Sequence, residues 1–219
     1  MVGASFGTVI VRIEDEDNTS EWQVTTLRSE EDYLDGRRPE KVSFLEVGED
    51  DKGIIEDLSR RDFTINSMAI GIDESLIDPY DGLNDLSTGT LRTVGSADRR
   101  FNEDGLRVLR AFRFLDAGEA GVREMDEALE SGIIRAEGFL SGVSRERVGV
   151  EISKIFSGEN VHEIALKMAS LGVFDQVFED YDVDIPPQLS NNHLVNLALF
   201  FRNEDISADS LSDMMRESL

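Results

Sequence analysis

Asp104, Arg107, Arg110 and Arg113 recur at every third position in a stretch whose Leu106, Leu109, Phe112 and Phe114 predict a helix. Three residues turn a helix by about 300°, so successive members drift by about 60° and the first three share one side. That side is polar and mostly cationic, because Arg92 to Arg113 contains six arginines against Asp98, Glu103 and Asp104. Arginine presents a planar fork of donors that pairs with phosphate oxygens, which suits such a face to a triphosphate. The plainer alternative is a solvated helix face laced with ion pairs.

Asp104 beside Arg107 has a sharper meaning. Cytosine and adenine each offer an amino donor next to a ring-nitrogen acceptor, whereas guanine and uracil reverse that order. A carboxylate with a guanidinium matches the first pair: Asp104 accepts from the exocyclic amine while Arg107 donates to the ring nitrogen. The opposite bases would meet like against like, and each unpaired buried polar group costs roughly 1 to 3 kcal/mol. Protein alone would then select C and A.

The elements that must position these residues change character along the chain. Phe6 to Ile13 is β-branched and alternating, Glu14 to Ser20 reads as a turn, and Trp22 to Leu27 as a second strand, which together predict a β-hairpin. Ser29 to Glu40 reads as a loop, Val42 to Val47 as a short apolar segment, and Ile54 to Ile70 as a helix. Asp78 to Gly82 marks a turn and Leu91 to Val94 a last short strand. From about Glu103 the pattern is helical, with amphipathic runs at Val122 to Ser131, Ser144 to Phe156 and Val161 to Leu171. Ser144 is placed as an N-cap, without a full capping box since Arg147 stands at the third helical position. Gly158 and Pro186-Pro187 separate helical units.

Composition narrows the chemistry. The chain has 219 residues, no cysteine and two histidines, His162 and His193, far apart, so any metal would be held by carboxylates. No apolar run approaches the roughly 18 to 20 residues of a membrane span, and the first residues lack the pattern of a signal peptide, so a soluble cytoplasmic protein is expected. The net charge of -24 runs against a nucleic-acid binder, which ordinarily carries a basic surface. Yet 18 arginines stand against 4 lysines, with 46 acidic residues. This pattern fits an acidic, solvated shell in concentrated salt, that is, a halophilic protein, where screening leaves recognition to short-range hydrogen bonds. The alternative is a generic acidic surface that only confers solubility.

Three segments together resemble the bacterial-type (class II) tRNA nucleotidyltransferase (CCA-adding enzyme) and poly(A) polymerase family: Arg60-Arg61-Asp62-Phe63-Thr64-Ile65-Asn66-Ser67-Met68-Ala69, then Asp78 to Leu86, then Arg100 to Phe114. Gly7-Thr8-Val9, Val24 to Arg28 and Asp35 to Pro39 are similar to that family's head, and Ser144 to Val148, Glu151 to Phe156 and Met168 to Phe178 to its neck and body. The resemblance implies an α+β fold: a truncated nucleotidyltransferase-like head of antiparallel strands plus helix at 1–90, an all-helical neck with the nucleotide-reading motif at 91–157, and a partial helical body at 158–219. It implies that Arg61 contacts the incoming nucleotide, that Asp104 and Arg107 read its base, and that Arg110 and Arg113 hold its phosphates or nearby groups. Asp62 and Asn66 would orient the sugar or the arginine, or serve as helix-start partners. Asp81, Gly82, Asp85 and Leu86 match a hinge-like segment, in which Gly82 also reads as a simple turn residue.

The same resemblance implies CCA addition to the tRNA 3′ end from CTP and ATP, with Mg²⁺. Poly(A) synthesis, or a non-catalytic nucleotide- or tRNA-binding module, stays open beside it. The family's Gly-Gly-x-Val-Arg-Asp and Asp-x-Asp segments are absent from the sequence, so no catalytic or metal-binding residue is assigned within this chain. Asp15 and Asp17 spell Asp-x-Asp but fall in the expected turn, where a charged tip is ordinary. The expectation is a truncated or split enzyme, inactive alone, which a second chain supplying the metal-binding segment would complete.

Overall fold

The computed structural model describes residues 8–15, 18–31, 41–45, 51–116, 121–178, 184–187, 189–190 and 192–202. β1 (Thr8–Asp15) and β2 (Asn18–Thr25) pair antiparallel from Thr8 opposite Thr25 to Asp15 opposite Asn18. The hairpin is as expected, but its strands run closer to the tip than the turn assigned to Glu14 to Ser20. β3 (Arg28–Glu31) pairs with β4 (Lys41–Phe44), so a strand opens the segment read as a loop from Ser29. Gly7 of the family-like Gly7-Thr8-Val9 and the segment Asp35 to Pro39 lie outside the described residues, as does Asp17.

The helix expected over Ile54 to Ile70 is only half there. α1 (Lys52–Ser59) ends at Arg60, a 3₁₀ turn covers Thr64–Asn66, and β5 (Ala69–Ile70) pairs with β6 (Leu76–Ile77). The reason is Phe63, which is fully buried and pulls the chain against residues 92–94. There Phe63 bridges Thr93, Thr64 N donates to Arg92 O at 3.0 Å and Val94 N to Asp62 O at 3.0 Å. Burying one aromatic side chain outweighs the weak propensity of a few helical residues.

α2 (Gly82–Thr88) follows the turn at Asp78, whose carboxylate accepts from Gly82 N at 2.7 Å and Leu83 N at 2.9 Å. Gly82 is more than a turn residue: a Cβ there would lie 2.2 Å from the Thr64 carbonyl oxygen, so only glycine lets α2 approach the 3₁₀ turn. β7 (Thr90–Leu91) pairs in parallel with β8 (Glu124–Met125), placed just before Asp126, which caps α5 (Glu127–Arg135) through Leu129 N at 2.9 Å. The expected amphipathic run at Val122 to Ser131 therefore begins as strand.

α3 (Ala97–Glu103) and α4 (Leu106–Leu115) meet at a corner formed by Asp104 and Gly105. α4 buries Leu106, Val108, Leu109, Ala111, Phe112 and Leu115 against α6 (Arg145–Phe156) and α7 (Val161–Ser170). Those two helices match their expected spans closely. Ser144 sits at the N-cap of α6 in extended conformation, but its side chain makes no capping hydrogen bond. α8 (Val173–Val177) and α9 (His193–Phe200) complete the helical part, where Phe156, Phe174 and Phe200 pack with ring centres 4.8 to 6.4 Å apart. Among the described residues, no helix is long and apolar enough to cross a membrane.

Candidate functional site at the α3–α4 corner

The first correction to the sequence reading is geometric. Asp104 does not lie on one helix with Arg107, Arg110 and Arg113; it is the C-terminal cap of α3, with φ -156° and ψ 109°. Its carboxylate Oδ1 accepts from Leu106 N at 3.1 Å and so starts α4, while Arg107 N donates to the Asp104 carbonyl at 3.0 Å. Gly105, with φ -60°, needs no unusual backbone angle. It is glycine for a steric reason, because a Cβ would stand 1.7 Å from the Phe139 carbonyl oxygen. The turn between Asp104 and Leu106 is thus closed tightly against the chain that follows α5.

Arg107 and Arg110 both reach the segment at residues 60–62 while Arg113 meets α6, and each pairs with a carboxylate from another element. Arg107 is nearly buried: Nη1 donates to Glu103 Oε2 and to Arg100 O at 3.1 Å, and Nη2 to Arg60 O at 3.1 Å. Arg110 donates Nε to Asp62 Oδ2 at 2.7 Å and Nη2 to the same oxygen. Arg113 Nε stands 2.9 Å from Glu151 Oε2, off the line of a good hydrogen bond, with its guanidinium carbon 4.4 Å from the centre of the Phe114 ring. Ion pairing, the plainer alternative for this face, is therefore what these side chains show.

Asp62 is buried and central. Oδ1 accepts from Phe63 N at 2.9 Å and from Asn66 Nδ2 at 3.3 Å, leaving Oδ2 for Arg110. Asp62 and Asn66 thus brace each other across the 3₁₀ turn and connect it to α4. Arg61 lies at the rim, about half exposed, donating Nη1 to Asn66 O at 2.9 Å and standing 3.4 Å from Asp57 Oδ2. Arg61, Asp62, Asn66 and Arg110 consequently form one connected group, and Asp104 and Arg107 lie at the corner beside it.

Several contributors were not singled out from sequence. Glu103 receives Arg99, Arg100 and Arg107 at once; burial would raise its pKa, but the hydrogen bonds from Arg107 and Arg100 outweigh that and hold it below the usual glutamate range. Its place four residues before Arg107 was a readable signal, the favourable i,i+4 order of acid before base. Arg147, at the start of α6, donates Nη2 to Asp104 Oδ2 at 2.5 Å across 43 residues of sequence, a pairing no local pattern encodes. Asp85, matched from sequence to the hinge-like segment, accepts from Thr64 Oγ1 at 2.5 Å and Arg92 Nε at 2.9 Å, tying α2 to the 3₁₀ turn. Asp57 is held below the usual aspartate range: burial opposes ionisation, but Arg60, then Arg28 N and Arg61, prevail.

For metal ligation, the described residues contain no cluster of three His, Cys, Asp or Glu side chains able to hold an ion. Asp15 ends β1 and its would-be partner Asp17 is not described, so that pair contributes nothing further.

Comparison with known proteins places this geometry. A family model described as "Poly A polymerase head domain" matches residues 1–92, and another, "Probable RNA and SrmB-binding site of polymerase A", matches 124–185. The CCA-adding enzyme of Bacillus velezensis is 39% identical over 176 residues, covering 80% of this chain and 41% of the relative. That of Staphylococcus aureus is 37% identical over 186 residues, covering 84% and 43%. Among solved structures, the Bacillus stearothermophilus CCA-adding enzyme in complex with CTP aligns with TM-score 0.64 and 29% identity over 90% of this chain and 42% of that one. The Thermotoga maritima CCA-adding enzyme complexed with tRNA aligns with TM-score 0.58 and 25% identity over 75% and 44%. The chain thus spans about two fifths of the relatives it matches. The α+β architecture, the two matched models and relatives near 40% identity agree: the chain belongs to the family of tRNA nucleotidyltransferases and poly(A) polymerases that includes the CCA-adding enzymes.

Proposed function

We propose that the chain serves template-independent addition of CMP and AMP, from CTP and ATP, to the 3′ end of tRNA. The observation that carries this reading is the corner at Asp104. One carboxylate oxygen is fixed by Leu106 N, and the other faces Arg147, whose side chain is 38% exposed. The amine of cytosine or adenine can replace that arginine without leaving Asp104 unpaired. Arg107 uses three of its five donors on Glu103 and the carbonyls of Arg100 and Arg60. Nε and one Nη2 proton remain for the ring nitrogen. Arg61 at the rim contacts the nucleotide, Arg110 and Arg113 exchange carboxylate for phosphate oxygens, and Asp62 with Asn66 orients Arg110. The division at 1–90, 91–157 and 158–219 belongs to the same reading.

These residues select and hold; they supply no metal site. Mg²⁺ is the cation expected for the complete enzyme, but the described residues do not offer the carboxylate cluster it requires. The charge of -24 and the pairing of each site arginine with a carboxylate support work in concentrated salt, in a soluble, cytoplasmic setting.

Calorimetry on the whole chain tests base selection. CTP and ATP bind, and Asp104→Ala or Arg107→Ala weakens both by about tenfold or more. Equal affinity of the unmodified chain for GTP and UTP would defeat the base-edge reading. Binding of ATP without CTP would favour the poly(A) polymerase alternative.

A further inference from the structure

Arg147 runs against two local rules in α6. It is the third residue of the helix, where a glutamate or glutamine would complete a capping box with Ser144, and its cation stands at the positive end of the helix dipole. The helix end therefore gains nothing from this charge, and local conflicts of that kind collect where function sets the residue. What Arg147 does instead is donate Nη2 to Asp104 Oδ2 at 2.5 Å, its only side-chain hydrogen bond among the described residues. The side chain is 38% exposed, against 11% for Arg107, which is tied to Glu103 and to the carbonyls of Arg100 and Arg60. Of the two arginines at the corner, Arg107 is fixed and Arg147 can leave.

This pair bears on base selection. Leu106 N holds Asp104 Oδ1, so Oδ2 is the oxygen left to meet a base amine, and Arg147 occupies it. With Arg147 in place, guanidinium donors from both Arg107 and Arg147 dominate the corner. Such a surface suits the carbonyl oxygen of uracil no worse than the amine of cytosine. Once Arg147 withdraws to water, Asp104 presents an acceptor that the amine satisfies and a carbonyl leaves unpaired. A partly exposed ion pair is worth little net, so its displacement costs a few-fold in affinity and no more. Resting on the proposed base-reading role of Asp104, we infer that Arg147 is a specificity-determining residue: it competes with the base for Asp104, and a nucleobase carrying an amine is what can take its place.

Nucleosides test this without a triphosphate, whose own charge would add a salt response. Cytidine and uridine are titrated into the full 219-residue chain and followed by ligand-observed NMR. Arg147→Met removes the competitor, and cytidine then binds about fivefold tighter while uridine does not, as the loss of a partly exposed ion pair implies. In the unmodified chain, cytidine binding tightens as salt rises from about 0.1 to 1 M, because screening weakens the pair that an uncharged ligand must break. In Arg147→Met it stays level. Arg147→Gln completes the capping box with Ser144 and keeps α6 at least as stable, which covers the case in which the methionine variant does not fold. It tightens cytidine binding in the same sense but by less, since a neutral amide still donates to Asp104. Unchanged or weaker cytidine binding in the folded Arg147 variants, or equal tightening of cytidine and uridine, overturns the inference and makes Arg147 a brace of the corner. The base reading survives that result if Asp104→Ala still weakens cytidine. Cytidine binding that Asp104→Ala leaves unchanged, or that is absent from every variant, overturns the base reading and the inference with it.

Discussion

At the α3–α4 corner Arg107, Arg110 and Arg147 each pair with a carboxylate from a different element, whereas the apolar side chains on one face of the β1–β2 hairpin are exposed. Glu103, Arg107, Asp62, Arg110, Asp104 and Arg147 bring α3, α4, α6 and the 3₁₀ turn to one place. The hairpin's polar face is just as well tied, by Arg12 with Glu21. Its apolar face has no such ties among the described residues. The contrast teaches where this fold holds its polar groups: the residues proposed to read and grip the nucleotide are fixed by ion pairs between elements, while the hairpin's apolar side chains stay exposed.

The comparison breaks most readily at Gly105. Gly105→Ala places a methyl group inside the Phe139 carbonyl, and neither partner is a flexible side chain. Because the backbone angle at Gly105 is ordinary, the whole cost is steric. We expect a loss of about 3 kcal/mol, which at this size lowers Tm by about 10 °C. Thermal unfolding followed by circular dichroism checks it, and a loss below about 1 kcal/mol would mean the corner yields more than its packing implies. Next comes Arg110→Ala, which leaves the buried Asp62 carboxylate to Phe63 N and Asn66 alone. Allowing for the third of Arg110 that remains solvated, the expected cost is about 2 kcal/mol. A double-mutant cycle with Asp62→Ala separates their coupling from the separate losses; a coupling of zero would make the pair incidental.

Acid sharpens the same comparison. The folded pKa of Glu103 lies below its unfolded value, so its contribution is fully present above the ordinary glutamate range and is lost as pH falls through the folded value. Asp57 behaves in the same sense. Stability therefore declines on acidification, with protons taken up on unfolding. In Glu103→Gln the slope of stability against pH becomes shallower in that window. An unchanged slope, measured by denaturant melts at several pH values, would remove Glu103 from the set of groups that set acid sensitivity.

How much was legible follows from where the information sits. Short-range order was readable: the alternation at Val9 to Val11, the apolar stripe of α4, and the motif from Arg60 to Asn66. Where a single helix was read through Asp104, the break is the extended backbone of Asp104, whose carboxylate is held by Leu106 N and by Arg147, 43 positions later. The helix read to Ile70 failed for a similar reason, since the pairing of Phe63 with Thr93 is non-local. Spacing put Arg107 and Arg110 on one side but could not reveal the carboxylates that meet Arg110 and Arg113, because Asp62 and Glu151 come from distant segments. Charge type is encoded locally; charge partnership is encoded by the fold.

The smallest effect is the most discriminating for the hairpin. Because its apolar face is exposed, Val24→Thr removes little native contact and keeps a β-branched residue suited to a strand. Its stability should therefore move by no more than about 0.5 kcal/mol, with less aggregation as the exposed apolar patch shrinks. The same conservative change at a fully buried position such as Val108 on α4 strips apolar contact and strands a hydroxyl, with an expected cost of about 1 to 3 kcal/mol. Chemical denaturation of the two variants side by side measures the difference. Comparable losses would show that the hairpin face is already packed within this chain, and the contrast between a finished corner and an open sheet would disappear.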